Sequence, residues 1–369
     1  MADVSTFMAI DAGDIASIMG IDVGDISTVM GVDYPAGTLA WAGTRGVVAG
    51  GEDGNDKKNI IQYKTVASDA NTSDFGDLNY YVISMVSSGS NISRGIFAGG
   101  SKAASPTGSS SNGDIADYIT VGSTGNGTDF GDLNAAGRQA FVSGGSSNGT
   151  YLFGGGGYQY NGGFTAQDRM EYFTIASTGN GTDAGNISET KWNLVGTSGN
   201  SRYLVATGYN GTARLNTIEY NDFSTSADVS DFGDMSDACY QSAGVESATR
   251  AVIAQGNTAA GGKVDVMEYV TVASTGNVTD FGDITVGRSE SGSYSDGTRG
   301  EWTGGEVQDG HAQPEVDTIE KITIASTGNS SDVGDLEGDG KLMAGLSGTS
   351  HERISTYTKL DYRYGNHDH

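Results

Sequence analysis

A nineteen-residue phrase recurs six times along the chain and constrains the fold more than any other feature. Its copies end at Leu78, Leu133, Ile187, Met235, Ile284 and Leu336. The fourth position is a tyrosine in five copies and Lys321 in the sixth, with the tyrosines at Tyr63, Tyr118, Tyr172, Tyr220 and Tyr269. These tyrosines are 48 to 55 residues apart. Self-similarity at such a period indicates a tandem array of one structural module.

A second phrase, an apolar run that usually ends in a glycine pair, precedes each copy. It begins at Thr44, Ser93, Gly149, Ser201, Thr249 and Thr298. Between one module and the next lies a further apolar stretch with turn residues, so each module supplies about four short strands. The chain has 59 glycines without a Gly-X-Y period, which excludes collagen and suits many tight turns. The sequence therefore predicts an all-β fold.

A single four-stranded sheet with apolar residues on both faces cannot bury them alone, whereas radially arranged sheets cover one another. The glycine pair, the following tyrosine and the period resemble kelch repeats. The fuller phrase Y-x-T-I-A-S-T-G-N-x-T-D-F-G-D-L is similar to kelch-like modules in virion proteins of tailed phages, especially marine ones. One departure is that Trp41, Trp192 and Trp302 do not share a module position, unlike the usual kelch tryptophan.

The resemblance implies a kelch-like β-propeller, which we assign to residues 34–364, followed by a C-terminal tail at 365–369. A partial seventh copy starts at Lys341. We therefore expect seven blades, the last of which would borrow a strand from the N-terminal region. The alternative is six blades, the first of which is completed by C-terminal strands.

Residues 1–33 follow a different, eleven-residue repeat with glycine in each unit. The glycines disfavour a continuous helix, so we expect short segments, helical or strand, separated by Gly-Asp turns. The repeat carries a set of apolar residues that a lone segment cannot bury, namely Met8, Ile10, Met19, Ile21, Met30 and Val32. We interpret this segment as a partner-binding attachment arm. The alternative is that it packs on or closes its own propeller.

Charge and composition exclude several classes of function. The formal net charge of −26 opposes binding to nucleic acid. Cys239 is the only cysteine, so no internal disulfide is expected. The N-terminus lacks a basic region and an apolar core, and no run of eighteen apolar residues occurs. We therefore expect neither a signal peptide nor a membrane span.

We interpret the acidic and amide residues of the modules as turn residues in preference to metal ligands. The DFG triplets at Asp74, Asp129, Asp231 and Asp280 recur without kinase partners, and we expect them to shape tight loops. Paired acids at Asp129 with Asp132 and Asp280 with Asp283 are weak candidates for calcium, since each loop offers too few oxygens alone. Asparagines of N-x-S/T sequences are expected to cap local turns, at Asn71, Asn126, Asn148, Asn180, Asn277 and Asn329.

Candidate ligand-binding and catalytic residues are few. Tyr158 and Tyr160 lie in the longest insertion and could stack on a sugar if that loop is exposed. A copper oxidase of the galactose oxidase type would need more histidines than His311, His351, His367 and His369 provide. We expect no cofactor, apart from the calcium alternative, and no catalytic residues.

These observations and the resemblance imply a non-enzymatic virion component, assembled in the host cytoplasm. We expect it to belong to a multi-copy assembly as a tail, fibre, neck or capsid-decorating protein. Its partners would be other virion proteins, reached through the arm, and a host surface glycan or receptor. The alternatives are a lectin-like, carbohydrate- or receptor-binding propeller and, more weakly, a glycan hydrolase.

Overall fold

The computed structural model describes residues 43–348 and four short strands before them. Within 43–348 the description omits residues 55, 84–86, 109–110, 135–137, 140–141, 144–145, 161–163, 261 and 309–313. The described residues contain strands and turns and no helix, as expected for an all-β chain. None of them forms a helix that is long and apolar enough to cross a membrane.

Six four-stranded antiparallel units form the blades of a β-propeller; five are separate sheets, and blade 4 is the central part of a seven-stranded sheet. From the innermost strand outward, blade 1 consists of Ala344–Gly348, Arg45–Ala49, Ile60–Thr65 and Ser73–Asp77, blade 2 of Ser87–Ser90, Arg94–Ala98, Ile115–Thr120 and Thr128–Asp132, and blade 3 of Ser146–Ser147, Tyr151–Gly155, Arg169–Thr174 and Thr182–Asn186. Blade 4 consists of Leu194–Ser198, Arg202–Ala206, Leu215–Asp222 and Ser230–Tyr240, blade 5 of Ala243–Glu246, Arg250–Ala254, Val266–Thr271 and Thr279–Asp283, and blade 6 of Gly292–Ser295, Arg299–Thr303, Thr318–Thr323 and Ser331–Asp335.

The expectation of seven blades is wrong, because the partial copy after Lys341 completes blade 1. The strand Ala344–Gly348 pairs antiparallel with Arg45–Ala49, with Leu346 opposite Val47. Leu346 is buried between the blades. The ring is therefore closed by a strand from the C-terminal end of the array, which is the alternative that the repeats left open.

Strand direction assigns the connections to two faces. Connections between the second and third strands, and from each outermost strand to the next blade, lie on one face, here called the upper face. Turns between the first two and the last two strands of a blade lie on the lower face. Additional short strands decorate the connections on the upper face: Glu52–Asp53, Asp56–Lys57, Tyr81–Ile83, Ser101–Ala103, Ser111–Asn112, Arg138–Gln139, Val142–Ser143, Tyr158–Tyr160, Phe164–Ala166, Asn257–Thr258, Gly262–Lys263, Arg288–Ser289 and Glu306–Val307.

Apolar side chains from facing blades form the core. In five blades the second strand is buried at every residue after the first, as in Arg45–Ala49. In the third strand of blade 1, Ile61, Gln62 and Lys64 are buried while Tyr63 is half-buried. The phenylalanine of each FGD triplet is also buried, for example Phe232 between blades 4 and 5. Burial between sheets removes the apolar area that a lone blade would leave in water, which accounts for the stability of the ring.

The repeated tyrosines occupy matching places in successive blades, which confirms the repeat assignment. Each lies in a third strand, opposite the second strand of its own blade. In four blades an arginine guanidinium lies over the ring, at 4.3 Å for Arg45 on Tyr63 and 4.2 Å for Arg250 on Tyr269. Arg250 also donates a hydrogen bond of 2.9 Å to the carbonyl of Ile324 in the next blade. The arginine of the Thr/Ser-Arg phrase therefore joins neighbouring blades.

Two short hairpins are described within the first 33 residues. Ser17–Ile18 pairs with Ile21–Asp22, and Thr28–Val29 pairs with Val32–Asp33. The hairpins are eleven residues apart, in step with the sequence repeat, and they agree with the expected strand option. Met8, Ile10, Met19 and Met30 lie outside the described residues, so the attachment role of the arm stays a prediction.

The interface of blades 6 and 1 departs from the apolar pattern. Lys64 and Glu301 are buried there, and the Lys64 ammonium lies 3.2 Å from the Glu301 carboxylate. The matching positions of blade 5 are the apolar Val270 and Val252. Desolvation raises the pKa of Glu301 and lowers the pKa of Lys64, so burial outweighs attraction for both charges. The pair therefore costs stability relative to apolar residues.

A pair of variants tests this interpretation. Lys64→Ile alone should lower the free energy of unfolding by about 1–2 kcal/mol, because it leaves the buried Glu301 carboxylate with Arg299, at 2.6 Å, but without its lysine. The double variant Lys64→Ile with Glu301→Val introduces apolar residues like those of blade 5 and leaves Arg299 paired with Asp69 at 2.8 Å, so it should be at least as stable as the wild type. Urea denaturation measures both. Equal instability of the single and double variants would contradict the prediction.

Candidate functional site

The turn between the third and outermost strands of each blade is hydrogen-bonded to the preceding blade. Between blades 4 and 5, the Asn277 side-chain oxygen accepts from the Asp234 amide at 3.1 Å, and the Gly276 amide donates to the Phe232 carbonyl at 2.7 Å. The same side-chain contact recurs at all six interfaces, from Asn71, Asn126, Asn180, Asp228, Asn277 and Asn329. The STGN and FGD phrases therefore form a latch between blades.

A second latch uses the residue before each repeated tyrosine. Between blades 4 and 3, the Glu219 carboxylate accepts from the Ser188 amide at 2.9 Å, just after the preceding outermost strand. Gln62 makes the equivalent contact with the Glu337 amide at 2.7 Å. The equivalent acceptors are Gln62, Asp117, Glu171, Glu219, Glu268 and Glu320. The recurring acid of the E-Y dipeptide was the sequence signal for this latch, which the motif analysis missed.

These latches correct two expectations. The DFG triplets do not form tight loops, because Asp74, Asp129, Asp231 and Asp280 lie exposed within outermost strands. Local turn capping by the sequence-motif asparagines holds at Asn148, which accepts from the Tyr151 amide at 2.8 Å. The other five asparagines accept from a backbone amide of the preceding blade instead. Long-range contacts of this kind cannot be inferred from spacing within one module.

The calcium candidates lie in outermost strands on the rim of the propeller. Asp129, Asp132 and Asp280 are exposed, and Asp283 is half-buried. In the described part of the chain, no three acidic, histidine or cysteine side chains come together in a group that could hold a metal ion. The candidate histidines His311, His351, His367 and His369 lie outside the described residues. Cys239 is buried, and burial raises the pKa of its thiol to about 12.

Tyr158 is not the exposed stacking residue that the sequence suggested. It lies in the strand Tyr158–Tyr160, is only 5% exposed, and meets Trp192 edge to face at 6.3 Å between ring centroids. Burial raises the pKa of its hydroxyl. The side chain of Tyr160 lies outside the described features. The insertion therefore places Tyr158 behind a different aromatic group.

That group is a row of three half-buried rings on the upper face, Trp192, Tyr209 and Tyr240, here called the aromatic row. Ring centroids are 5.0 Å apart for Trp192 and Tyr209 and 6.0 Å for Tyr209 and Tyr240. The Arg214 guanidinium lies 4.9 Å from the Tyr240 centroid. Trp192 and Tyr240 precede the equivalent residues Asn193 and Gln241 of successive modules, and the row lies in one sector of the ring, around blade 4.

Hydrogen-bonding groups flank the aromatic row. Arg214 donates to the Asn257 side-chain oxygen at 3.1 Å, and the Asn210 amide donates to the Glu189 carboxylate at 2.9 Å. Gly211 has a φ of 92° and lies beside Trp192, where an added Cβ would meet the indole at 3.5 Å. Rings with polar neighbours present both stacking faces and directional groups to a ligand.

An ionic cluster occupies the opposite sector of the upper face. The Lys341 ammonium lies 2.5 Å from Glu306, 3.2 Å from Glu315 and 3.7 Å from Glu52. Burial opposes the charge on Lys341, but hydrogen bonding to Glu306 and the surrounding carboxylates outweigh it and raise the pKa of the ammonium. Burial also raises the pKa of nearby Glu290 to about 7. The lysine at the centre favours a structural, ion-paired role for these acids.

Four residues with left-handed backbone surround the upper mouth of the central channel. Asn193, Gln241, Glu290 and Leu342 have φ values of 55°, 58°, 63° and 59°. The Gln241 amide donates to the Asn193 carbonyl at 2.9 Å, and the Glu290 amide donates to the Gln241 carbonyl at 3.1 Å. The Leu342 amide donates to the Glu290 carbonyl at 2.8 Å. Such φ values strain non-glycine residues, and the series of three hydrogen bonds between these residues helps to maintain them here.

Further down the channel, one carboxylate stands among serines. Glu246 ends the innermost strand of blade 5, and the Thr197 hydroxyl donates to its Oε2 atom at 3.1 Å. Burial raises the pKa of Glu246 to about 7. A column of serine in the other copies, interrupted by one glutamate, was the signal that could have identified this residue.

The Glu246 pKa predicts a pH dependence of stability. A raised folded-state pKa means that the folded protein binds the proton more tightly than the unfolded chain does. The free energy of unfolding should therefore fall as the pH rises from about 4.5 to about 7 and then level off. Glu246→Gln removes this dependence, so the variant should gain about 2 kcal/mol over the wild type between pH 5 and pH 8 in chelator-treated buffer. Urea titrations at each pH measure the difference. A constant difference would contradict the assignment.

Comparison with known proteins identifies no family for this chain. No protein-family model matches the chain, and no curated protein matches its sequence.

Proposed function

We propose that this propeller is a non-enzymatic docking component of a virion, whose upper face contacts a partner. The observation that carries the proposal is the assignment of the repeated polar residues to the two blade latches. Catalytic sites usually break repeat symmetry, and the repeated acids and asparagines have structural partners instead. The similarity of the repeat phrase to virion modules of tailed phages supports the choice of assembly.

The design of the ring also suits a docking role. Every blade is joined to the next by backbone and side-chain hydrogen bonds, and the C-terminal strand closes the circle. A rigid platform loses little entropy when a partner binds, which favours attachment through preformed surfaces. The residues 1–33 would connect this platform to another virion protein, through the apolar residues of the eleven-residue repeat.

Cryo-electron microscopy of purified particles tests the virion proposal. The expected result is density for a six-bladed ring at a regular position, present in several copies. Particles assembled with a chain lacking residues 1–33 should lose that density while the truncated chain stays folded. Detection of the protein only as a free monomer would contradict the proposal, and so would turnover of a polysaccharide by the purified chain.

A second function, binding of a carbohydrate, is favoured by the aromatic row. Pyranose rings stack on tyrosine and tryptophan faces while their hydroxyls bond to flanking polar groups, and Arg214, Asn257 and Glu189 supply such groups here. This half-buried aromatic site replaces Tyr158 as the candidate stacking surface. It would let the upper face contact a host surface glycan.

Glycan-array screening followed by calorimetry tests the second function. Trp192→Ala and Tyr209→Ala should each lower the affinity for a bound glycan by about fivefold to thirtyfold, because each ring face contributes roughly 1–2 kcal/mol. Tyr80→Ala is the matched control, since Tyr80 is an exposed tyrosine outside the aromatic row. Equal losses in all three variants, or no glycan bound by the wild type, would contradict it.

A further inference from the structure

The innermost strands place six equivalent residues around the axis, five serines and one glutamate. They are equivalent because each pairs with the second residue of the second strand of its blade. That residue follows an arginine in five blades and Tyr151 in blade 3. The six residues, in blade order from blade 1, are Ser347, Ser90, Ser147, Ser198, Glu246 and Ser295. We call this set the axial ring.

Each serine of the axial ring donates its hydroxyl proton to the preceding blade. Ser147 donates to the Ser90 carbonyl at 2.7 Å, Ser198 donates to the Ser147 carbonyl at 3.1 Å, and Ser295 donates to the Glu246 carbonyl at 2.8 Å. Ser90 and Ser347 make the same contact with the blades before them. A hydroxyl has one proton and two lone pairs. With the proton committed to a carbonyl, each oxygen can act toward the channel only as an acceptor.

Glu246 adds a carboxylate to this acceptor-lined wall. Among the described residues its one side-chain hydrogen bond comes from Thr197, and no described lysine or arginine forms an ion pair with it. A cavity of about 40 Å³ lies on the axis and is lined by Glu246 together with Ser90, Ser147, Ser295 and Ser347. That volume exceeds the roughly 10–15 Å³ that one water molecule requires.

Glu246 is half-buried. Partial removal of a carboxylate from water without a counter-charge is unfavourable, and a hard cation would supply that charge and bind oxygen ligands. We propose that the axial channel binds a hard divalent cation, for which calcium is the probe, through the Glu246 carboxylate and the serine hydroxyl oxygens. Water supplies the remaining ligands of the six to eight that calcium takes. The strong negative charge of the chain raises the local cation concentration.

The position of this site on the propeller axis gives the cation a structural role. The axial ring takes one residue from every blade, so a cation on the axis contacts or bridges strands that are otherwise far apart in sequence. Binding to the folded state alone stabilises that state by mass action. The inference is independent of the virion proposal, because it concerns the axis and not the upper face or the arm.

Calorimetric titration of the chelator-treated full chain with calcium chloride at pH 7.5 tests the inference. The expected result is one calcium ion per chain, with a rise of melting temperature in the same buffer. Glu246→Gln, which keeps the size and removes the charge, should weaken binding at least tenfold and abolish the thermal shift. Glu246→Ser, which completes a ring of six serines, is the second variant and should behave in the same way.

Asp132→Asn is the matched control, because Asp132 is an exposed carboxylate on the rim and belongs to the alternative calcium loops. It should bind calcium as the wild type does. Absence of stoichiometric binding by the wild type would overturn the inference. Binding that survives both Glu246 substitutions, or that is lost in Asp132→Asn, would overturn it equally by placing the ion elsewhere.

Discussion

A chain that lacks residues 344–369 is expected not to fold into a stable propeller. The truncation removes the innermost strand of blade 1, which pairs along five residues with Arg45–Ala49 and buries Ala344 and Leu346. The lost hydrogen bonds and apolar burial amount to at least 5 kcal/mol, on the order of the whole net stability of a domain. Circular dichroism with thermal melting should show no cooperative transition near that of the wild type.

Two further truncations separate ring closure from the loss of a terminus. Removal of residues 349–369 leaves the closing strand in place and should preserve the melting temperature. Removal of residues 1–33 should also leave a folded propeller, because the closing strand comes from the C-terminal side. A cooperative, wild-type transition in the chain that ends at residue 343 would show that closure by Ala344–Gly348 is dispensable.

Gly233→Ala is expected to cost about 3–5 kcal/mol of stability, by adding steric overlap to backbone strain. Gly233 is the glycine of an FGD triplet and has a φ of 152°. An added Cβ would lie 2.4 Å from the carbonyl oxygen of Gly276 in the next blade. That oxygen belongs to the backbone, so it cannot move aside without disturbing the latch between the blades.

Gly276→Ala is the matched control for this prediction. Gly276 has a nearly identical φ of 153°, but nothing lies within 4 Å of the position of its Cβ. It should cost only the strain of the backbone conformation, about 1–2 kcal/mol. Urea denaturation of both variants isolates the contribution of the close approach. Equal losses would mean that φ alone explains the glycine of the triplet.

Periodicity predicted the all-β class, the four-stranded module and the shared environment of the tyrosines, because those features depend on residues within one copy. Blade number could not be predicted, because the repeat count is the same whether the partial copy forms a seventh blade or completes the first. Only the pairing of Ala344–Gly348 with Arg45–Ala49 decided it.

The sequence by itself determined the module, its register and the residues that recur, since local alternation and turn chemistry are encoded within each copy. The tertiary structure alone decided what those residues contact. The sequence predicts that Asn277 caps a local turn, yet its side-chain oxygen accepts from the Asp234 amide of another blade. The sequence likewise predicts that Tyr158 is an exposed loop residue, yet it is buried behind Trp192. Glu246 acquires its environment only when six strands meet at the axis. Contacts between blades depend on the closure of the ring, and no single repeat contains that information.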